Sequence, residues 1–163
     1  MPALLPDSKI LEQAGRILAV WGYIEFQTKL LLQQLLDIDF TKTELIYGSF
    51  VSFESKVALC NRLNLIINPK PEFQEAIKAI TGKLIPLNDE RNTIAHSLFG
   101  INPTTWAPYL MVNYLPRNEG KIDHGKNQDI TVEKMTDRCK KFEEVSSELE
   151  ELLNRLQVSS PTQ

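Results

Sequence analysis

Residues 7–36 read DSKILEQAGRILAVWGYIEFQTKLLLQQLL and decide the fold class. Side chains suited to a core recur in this stretch at steps of three and four residues or their sums, which places them on one face of an α-helix. Asp7 and Ser8 are the candidate N-cap residues, and the helix is predicted to continue to about Leu36. Its buried face is predicted to carry Leu11, Ala14, Leu18, Trp21, Thr28, Leu32 and Leu35.

Two shorter helices are predicted next along the chain. Thr41 and Glu44 have the spacing of a capping box, in which each side chain satisfies a free backbone N–H at the start of a helix. A second helix is predicted to start at Ser49 or Ser52 and to stop before Asn68-Pro69. Its buried face is predicted to carry Phe53, Val57, Cys60, Leu63 and Ile67.

A long third segment is predicted to begin with Pro71, a residue suited to the first turn of a helix. Pro86 lies inside it and is predicted to kink it, because proline lacks a backbone N–H. Gly100 is the predicted residue just beyond its end. The buried face is predicted to carry Phe73, Ile77, Ile80, Leu84, Leu87, Ile94 and Leu98.

Residues 103–130 change character, with aromatic and aliphatic residues followed by turn residues, which favours a β-hairpin or an ordered loop. Trp106, Tyr109 and Tyr114 are expected on its packed face. Thr131 is then predicted to cap a last long helix whose spacing of apolar residues is regular: Met135, Phe142, Val145, Leu149, Leu152 and Leu156. The sequence therefore predicts an all-α, four- to five-helix bundle with a small β-hairpin before the last long helix.

Composition limits the class of protein. The chain has 163 residues, a 42% apolar fraction and a net charge of −3. The length predicts one domain over residues 1–158 with a flexible tail at 159–163. The net charge argues against a protein that coats nucleic acid through a large excess of positive charge. Cys60 and Cys139 form no disulfide framework and no zinc pattern, so a reducing, cytoplasmic setting is expected. No apolar run is long enough to span a membrane.

Arg91-Asn92-Thr93-Ile94-Ala95-His96 is the segment most suggestive of function. Burying polar groups without partners is costly. An Arg, an Asn and a His on a helix whose other residues are predicted to be buried therefore suggest a specific role for these side chains. Asn92 and His96 are four residues apart and share a helix face. Arg91 and His96 lie roughly 140° apart around the axis but can flank one groove.

The arrangement Arg-Asn-x-x-x-His, with four residues between Arg91 and His96, resembles the motif of the HEPN superfamily. The layout, a helical bundle with the motif late in an inner helix, is also similar. The resemblance implies an RNA-binding domain and a metal-independent endoribonuclease of the toxin–antitoxin, phage-defence or CRISPR type. It further implies a homodimer with the two motifs facing each other, and a cognate antitoxin protein as a partner.

The resemblance also implies roles for three residues. Arg91 would neutralise the scissile phosphate with its planar fork of donors. His96 would act as general acid or base on the RNA 2′-hydroxyl or the leaving oxygen. Asn92 would orient His96 or hydrogen-bond the phosphate. No metal or other cofactor is implied.

The alternative is a non-catalytic protein-interaction or scaffold domain, in which Arg91, Asn92 and His96 form a structural polar network. Glu25, on the packed face of the first helix, would then be the partner of Arg91.

Weaker signals lie between residues 117 and 127. Gly120-Lys121-Ile122-Asp123-His124-Gly125-Lys126-Asn127 nearly matches a phosphate-binding loop, but Asn127 stands where Ser or Thr is needed, so an exposed turn is the favoured interpretation. A nucleotide-binding domain is a remote alternative. If RNA binds, Arg117, Lys121 and Lys126 are the candidate contacts to its backbone.

Overall fold

The computed structural model describes residues 7–67, 70–102, 104–111 and 127–159. Over these residues the chain forms five helices and a three-stranded antiparallel sheet. The prediction of an all-α chain with a small β element before the last long helix is confirmed. In chain order the elements are α1 (Ser8–Leu36), α2 (Phe40–Gly48), α3 (Phe53–Ile67), α4 (Pro71–His96), β1 (Leu98–Ile101), β2 (Pro108–Met111), β3 (Asn127–Asp129) and α5 (Val132–Ser159).

The chain divides into two compact units, and the three long helices contribute to both. Unit 1 comprises Met1–Ala19 and Asp89–Lys141, and therefore holds the Arg91–His96 segment and the sheet. Unit 2 comprises Val20–Asn88 and Phe142–Gln163. The single domain predicted over residues 1–158 stays a prediction.

Aromatic rings join three helices inside unit 2. Trp21 of α1 is 1% exposed, and its ring meets Phe53 of α3 edge-on with centroids 4.7 Å apart. The ring of Phe142, from α5, lies 6.1 Å from Trp21, also edge-on. Buried rings remove large apolar areas from water, and edge-to-face geometry adds to that gain. This cluster explains why the periodic apolar faces of α1, α3 and α5 come together.

A reciprocal polar pair is buried between α1 and α5 in unit 2. Gln27 Nε2 donates to the carbonyl oxygen of Ser146 at 3.0 Å, and Ser146 Oγ donates to Gln27 Oε1 at 3.1 Å. The two residues are 1% and 8% exposed. Each side chain satisfies the other, so the cost of burying both amide and hydroxyl is offset.

The buried faces follow the sequence pattern with a small rotation. Of the residues predicted to be buried on α1, Leu18 is 38% exposed, whereas Ile17 and Ile24 are fully buried. On α3, the prediction for Ile67 is wrong, since its side chain is 46% exposed and Asn64 is buried in its place. The helix face that packs on the core is wider than the set of residues spaced three and four apart. Which of the residues at its edges are buried therefore differs from the prediction.

Helix starts agree with the predicted caps except at α2. Asp7, Ser52 and Thr131 each accept a hydrogen bond from a backbone N–H two or three residues later, as predicted. The capping box at Thr41 is wrong, because α2 begins at Phe40 and the side chain of Asp39 accepts from the Lys42 N–H at 2.9 Å. A carboxylate two residues earlier caps the same helix.

The end of α4 also differs from the prediction. The helix passes through Pro86 and stops at His96, and Gly100, predicted to lie just beyond the helix, lies in β1 opposite Tyr109. The backbone of residues 98–101 pairs with β2, which a continued helix would prevent. A Cβ on Gly100 would lie 2.9 Å from Tyr109 Cζ, so only glycine lets that ring lie close to the strand. The kink expected at Pro86 stays a prediction.

The β element is larger than a hairpin and starts earlier than residue 103. β1 and β2 pair as antiparallel neighbours, and β3 adds a third strand beside β2, with Leu110 opposite Gln128. Leu110 is fully buried. Trp106, expected on the packed face, lies between β1 and β2 with a positive φ of 56° and is 67% exposed.

Candidate functional site

The Arg91–His96 segment forms the last turn and a half of α4. Both end residues of the motif are therefore helical, as predicted, and the chain leaves the helix directly after His96 to enter β1. The last carbonyl groups of a helix have no intrahelical donors, so the segment lies at an end where polar groups remain available.

Arg91 makes a local hydrogen bond with its neighbour in sequence. Its Nη1 donates to Asn92 Oδ1 at 2.8 Å, and both side chains are half-buried. A guanidinium has five N–H donors, and this bond occupies one of them. The bond fixes one edge of the guanidinium.

His96 is exposed, and its imidazole makes no hydrogen bond to any of the described residues. Among the described residues no hydrogen bond joins Asn92 to His96, and the Asn92 oxygen accepts from Arg91. The roles expected of Asn92, to orient His96 or to hydrogen-bond the phosphate, stay predictions. Sharing a helix face at a spacing of four residues permits a contact but does not require one. The imidazole is thus exposed to solvent.

Two buried polar atoms flank the motif and have no hydrogen-bond partner among the described residues. They are Glu90 Oε2 and Ser97 Oγ, the residues directly before Arg91 and after His96. Buried oxygens without donors cost free energy and are uncommon in folded proteins. In the sequence, only their position beside the motif distinguishes these two residues.

Glu25, the predicted partner of Arg91, belongs to unit 2, whereas Arg91 belongs to unit 1. Its backbone carbonyl accepts a hydrogen bond from the hydroxyl of Tyr47 at 3.1 Å. Burial, followed by the negative charge of Glu25, raises the pKa of Tyr47, so its hydroxyl stays a donor at neutral pH. The Glu25–Arg91 ion pair would join the two units and stays a prediction.

The candidate RNA-backbone residues Arg117, Lys121 and Lys126 lie outside the described residues, as do His124 and the loop that begins at Gly120. Two nearby basic residues of α5 are described. Arg138 donates to Gln128 Oε1 at 3.2 Å, and Lys134 donates to the carbonyl of Asp129 at 3.3 Å. These side chains tie the start of α5 to β3.

The cysteines show no feature of a nucleophile. Cys60 and Cys139 are both buried. Burial in apolar surroundings raises the pKa of Cys60 to about 12, so its reactive thiolate is scarce at neutral pH.

Other classes of site are missing from the described ranges. No three His, Cys, Asp or Glu residues there lie close enough together to hold a metal ion. None of the helices in those ranges is both long and apolar enough to cross a bilayer. Comparison with protein-family models, with curated proteins and with solved structures finds no match to this chain.

Proposed function

We propose that this protein is an RNA-binding domain of HEPN type that cleaves RNA without a metal ion, in a toxin–antitoxin or defence setting. The observation that carries the proposal is the exposed imidazole of His96 at the end of the helix that holds the half-buried guanidinium of Arg91. A cation for phosphate and a proton-transfer group then lie five residues apart on one helix, where both can flank one groove.

Arg91 is suited to hold the phosphodiester. Its bond to Asn92 at 2.8 Å restricts the side chain before any ligand arrives, which lowers the entropy lost on binding. The other donors of the guanidinium match two phosphate oxygens in a bidentate arrangement. They would also stabilise the charge that builds on those oxygens during the reaction.

His96 would transfer the proton. Its neutral imidazole takes a proton from the RNA 2′-hydroxyl as that oxygen attacks phosphorus, and the bond from phosphorus to the 5′-oxygen breaks. The departing 5′-oxygen gains a proton from a second acid, which is water or the His96 of another copy. The products are a 2′,3′-cyclic phosphate end and a 5′-hydroxyl end.

A homodimer and a cognate antitoxin protein belong to the same proposal. A second copy would supply a second Arg91 and His96 to one cleft, which gives the reaction both its base and its acid. Analytical ultracentrifugation of the full chain tests this part, and a monomer at micromolar concentration would contradict it.

The decisive experiment incubates the protein with mixed RNA in EDTA. We expect cleavage with cyclic phosphate ends, and a loss of about 10²–10⁴-fold in rate for His96→Ala. Arg91→Ala should lose a comparable amount. Arg62→Ala changes an exposed arginine of α3 and serves as the matched control, because it alters the charge alone. Absence of cleavage, or equal cleavage by all variants, would refute the enzymatic proposal.

The alternative is a non-catalytic interaction or scaffold domain, and the Arg91–Asn92 hydrogen bond favours it, since such a local pair also suits a structural network. Arg91→Ala would then lower the melting temperature and leave RNA binding and RNA integrity unaffected. Thermal melts beside RNA gel-shift assays of the same variants separate the two functions.

A further inference from the structure

A cavity of about 380 Å³ lies at the C-terminal end of α1, within unit 2. This volume falls in the range of small-molecule sites. One turn of α1, the two residues that follow the helix, and one residue near the end of α5 form its walls. They are Leu30, Gln33, Gln34, Asp37, Ile38 and Gln157. The cavity is remote in sequence from the Arg91–His96 segment and is independent of the function proposed for that segment.

The charge at this end of α1 is negative. The last carbonyl groups of a helix lack intrahelical donors and carry a partial negative charge. No basic residue lies in the last turn of α1 to offset this charge. Asp37, the next residue, adds a full carboxylate, and it is held in the left-handed region with φ of 51°. The lining contains no Lys or Arg to neutralise these groups.

The wall also contains amide groups that can accept hydrogen bonds. Gln34 is fixed by its Nε2, which donates to the Leu153 carbonyl at 3.3 Å, while its Oε1 is buried with no donor among the described residues. Gln33 and Gln157 add two further amides. Leu30 and Ile38 provide an apolar surface beside them. The lining thus combines acceptors, one negative charge and an aliphatic wall.

We propose that this cavity binds a small aliphatic cation, with a primary ammonium or guanidinium head. The head donates to the Asp37 carboxylate and to amide oxygens, and the methylene chain lies against Leu30 and Ile38. Hydrogen bonds between charged partners are about twice as strong as neutral ones, which makes charge the main source of selectivity. The cation is either a free amine or the end of a Lys or Arg side chain in a basic peptide.

Calorimetric titration of the full chain with agmatine tests the proposal, with butylurea as the uncharged analogue. We expect saturable binding of agmatine that is about tenfold tighter than that of butylurea. Asp37→Asn should weaken agmatine binding about tenfold, because Asn tolerates the positive φ and removes only the charge. Gln157→Leu, at an exposed position, should weaken it by less.

Glu144→Gln is the matched control. It removes one exposed carboxylate from α5, thirteen residues before Gln157 and therefore about 20 Å along the helix. Its agmatine affinity should equal that of the wild-type chain. No saturable binding at millimolar agmatine, equal binding of butylurea, or unchanged binding by Asp37→Asn would each overturn the proposal. A Gly-Arg-Gly peptide that binds more tightly than agmatine would identify a peptide side chain as the occupant, and weaker peptide binding would identify a free amine.

Discussion

Two regions of this molecule differ in how their polar side chains are paired by hydrogen bonds. In unit 2, Gln27 and Ser146 are buried between α1 and α5 and satisfy each other through two hydrogen bonds. At the end of α4 in unit 1, buried oxygens of Glu90 and Ser97 have no partner among the described residues, and the His96 imidazole faces solvent without one.

The first site pairs its buried polar groups, and the second does not. Buried polar groups in protein cores are mostly paired, because an unpaired one costs about 1–3 kcal/mol. Unit 2 also has exceptions among the described residues, since Trp21 Nε1 and Asn64 Oδ1 are buried without a partner. A segment that retains unpaired groups at the end of a well-formed helix gains nothing in stability from them. Such positions are where binding or chemistry is most often found. The predictions below test this contrast by free energy of unfolding, from the largest change to the smallest.

The largest change is expected from Phe142→Ala in the packed region. Phe142 is fully buried against Trp21, so truncation removes apolar contacts and leaves a cavity. The free energy of unfolding should fall by about 3–5 kcal/mol. Urea denaturation measures this, and the exposed neighbour Glu144→Ala should change it by less than about 0.5 kcal/mol. Equal effects of the two variants would show that this region is not the stable core.

Breaking the buried pair should have the next largest effect. Gln27→Met keeps the size of the side chain but leaves the Ser146 hydroxyl without its acceptor. We expect a loss of about 1–3 kcal/mol in the free energy of unfolding. In the double variant Gln27→Met/Ser146→Ala both partners are gone, so its loss should be smaller than the sum of the single losses. Simple additivity would mean that the two side chains do not act as a pair.

A surface pair in unit 2 should contribute less. Asp39→Ala removes the cap of α2 and should lower the melting temperature by roughly 2–4 °C, whereas Thr41→Ala should leave it unchanged. The hydrogen bonds from Lys42 hold the pKa of Asp39 below its usual value. Its stabilisation is therefore complete above the ordinary carboxylate pKa and is lost as the pH falls through the lowered one. A larger decrease in melting temperature for Thr41→Ala than for Asp39→Ala would show that Thr41, through the capping box, caps α2.

The smallest change in stability is expected at the motif. His96 is exposed and makes no hydrogen bond with the described residues, so His96→Ala should alter the free energy of unfolding by less than about 0.5 kcal/mol. The same variant should lose RNA cleavage if the proposed function is correct. If His96→Ala lowers the free energy of unfolding as much as Gln27→Met does, the two regions do not differ in this way, and the scaffold alternative is favoured.

Local pattern was a good guide to most of the buried helix faces, with Leu18 and Ile67 as exceptions. The residues predicted to be buried on α4 from Phe73 to Ile94 are all buried, and Asp7, Ser52 and Thr131 cap helices as expected. The errors at helix ends fall where two local signals compete. Thr41 and Asp39 could both cap α2, and the residues after His96 had a helical spacing that the pairing with β2 overrode.

The sequence by itself determined that the chain is helical, where most of its helices begin, and which residues could carry chemistry, because periodicity, capping and side-chain type are local properties. Tertiary structure alone decided that Gln27 finds Ser146, that Asn92 accepts from Arg91 and not from His96, and that Glu90 and Ser97 have oxygens with no partner among the described residues. It also formed the acceptor-lined cavity at the end of α1, to which a residue near the end of α5 contributes. Hydrogen-bond partners and cavities depend on distances between segments far apart in the chain, and no local pattern encodes those distances.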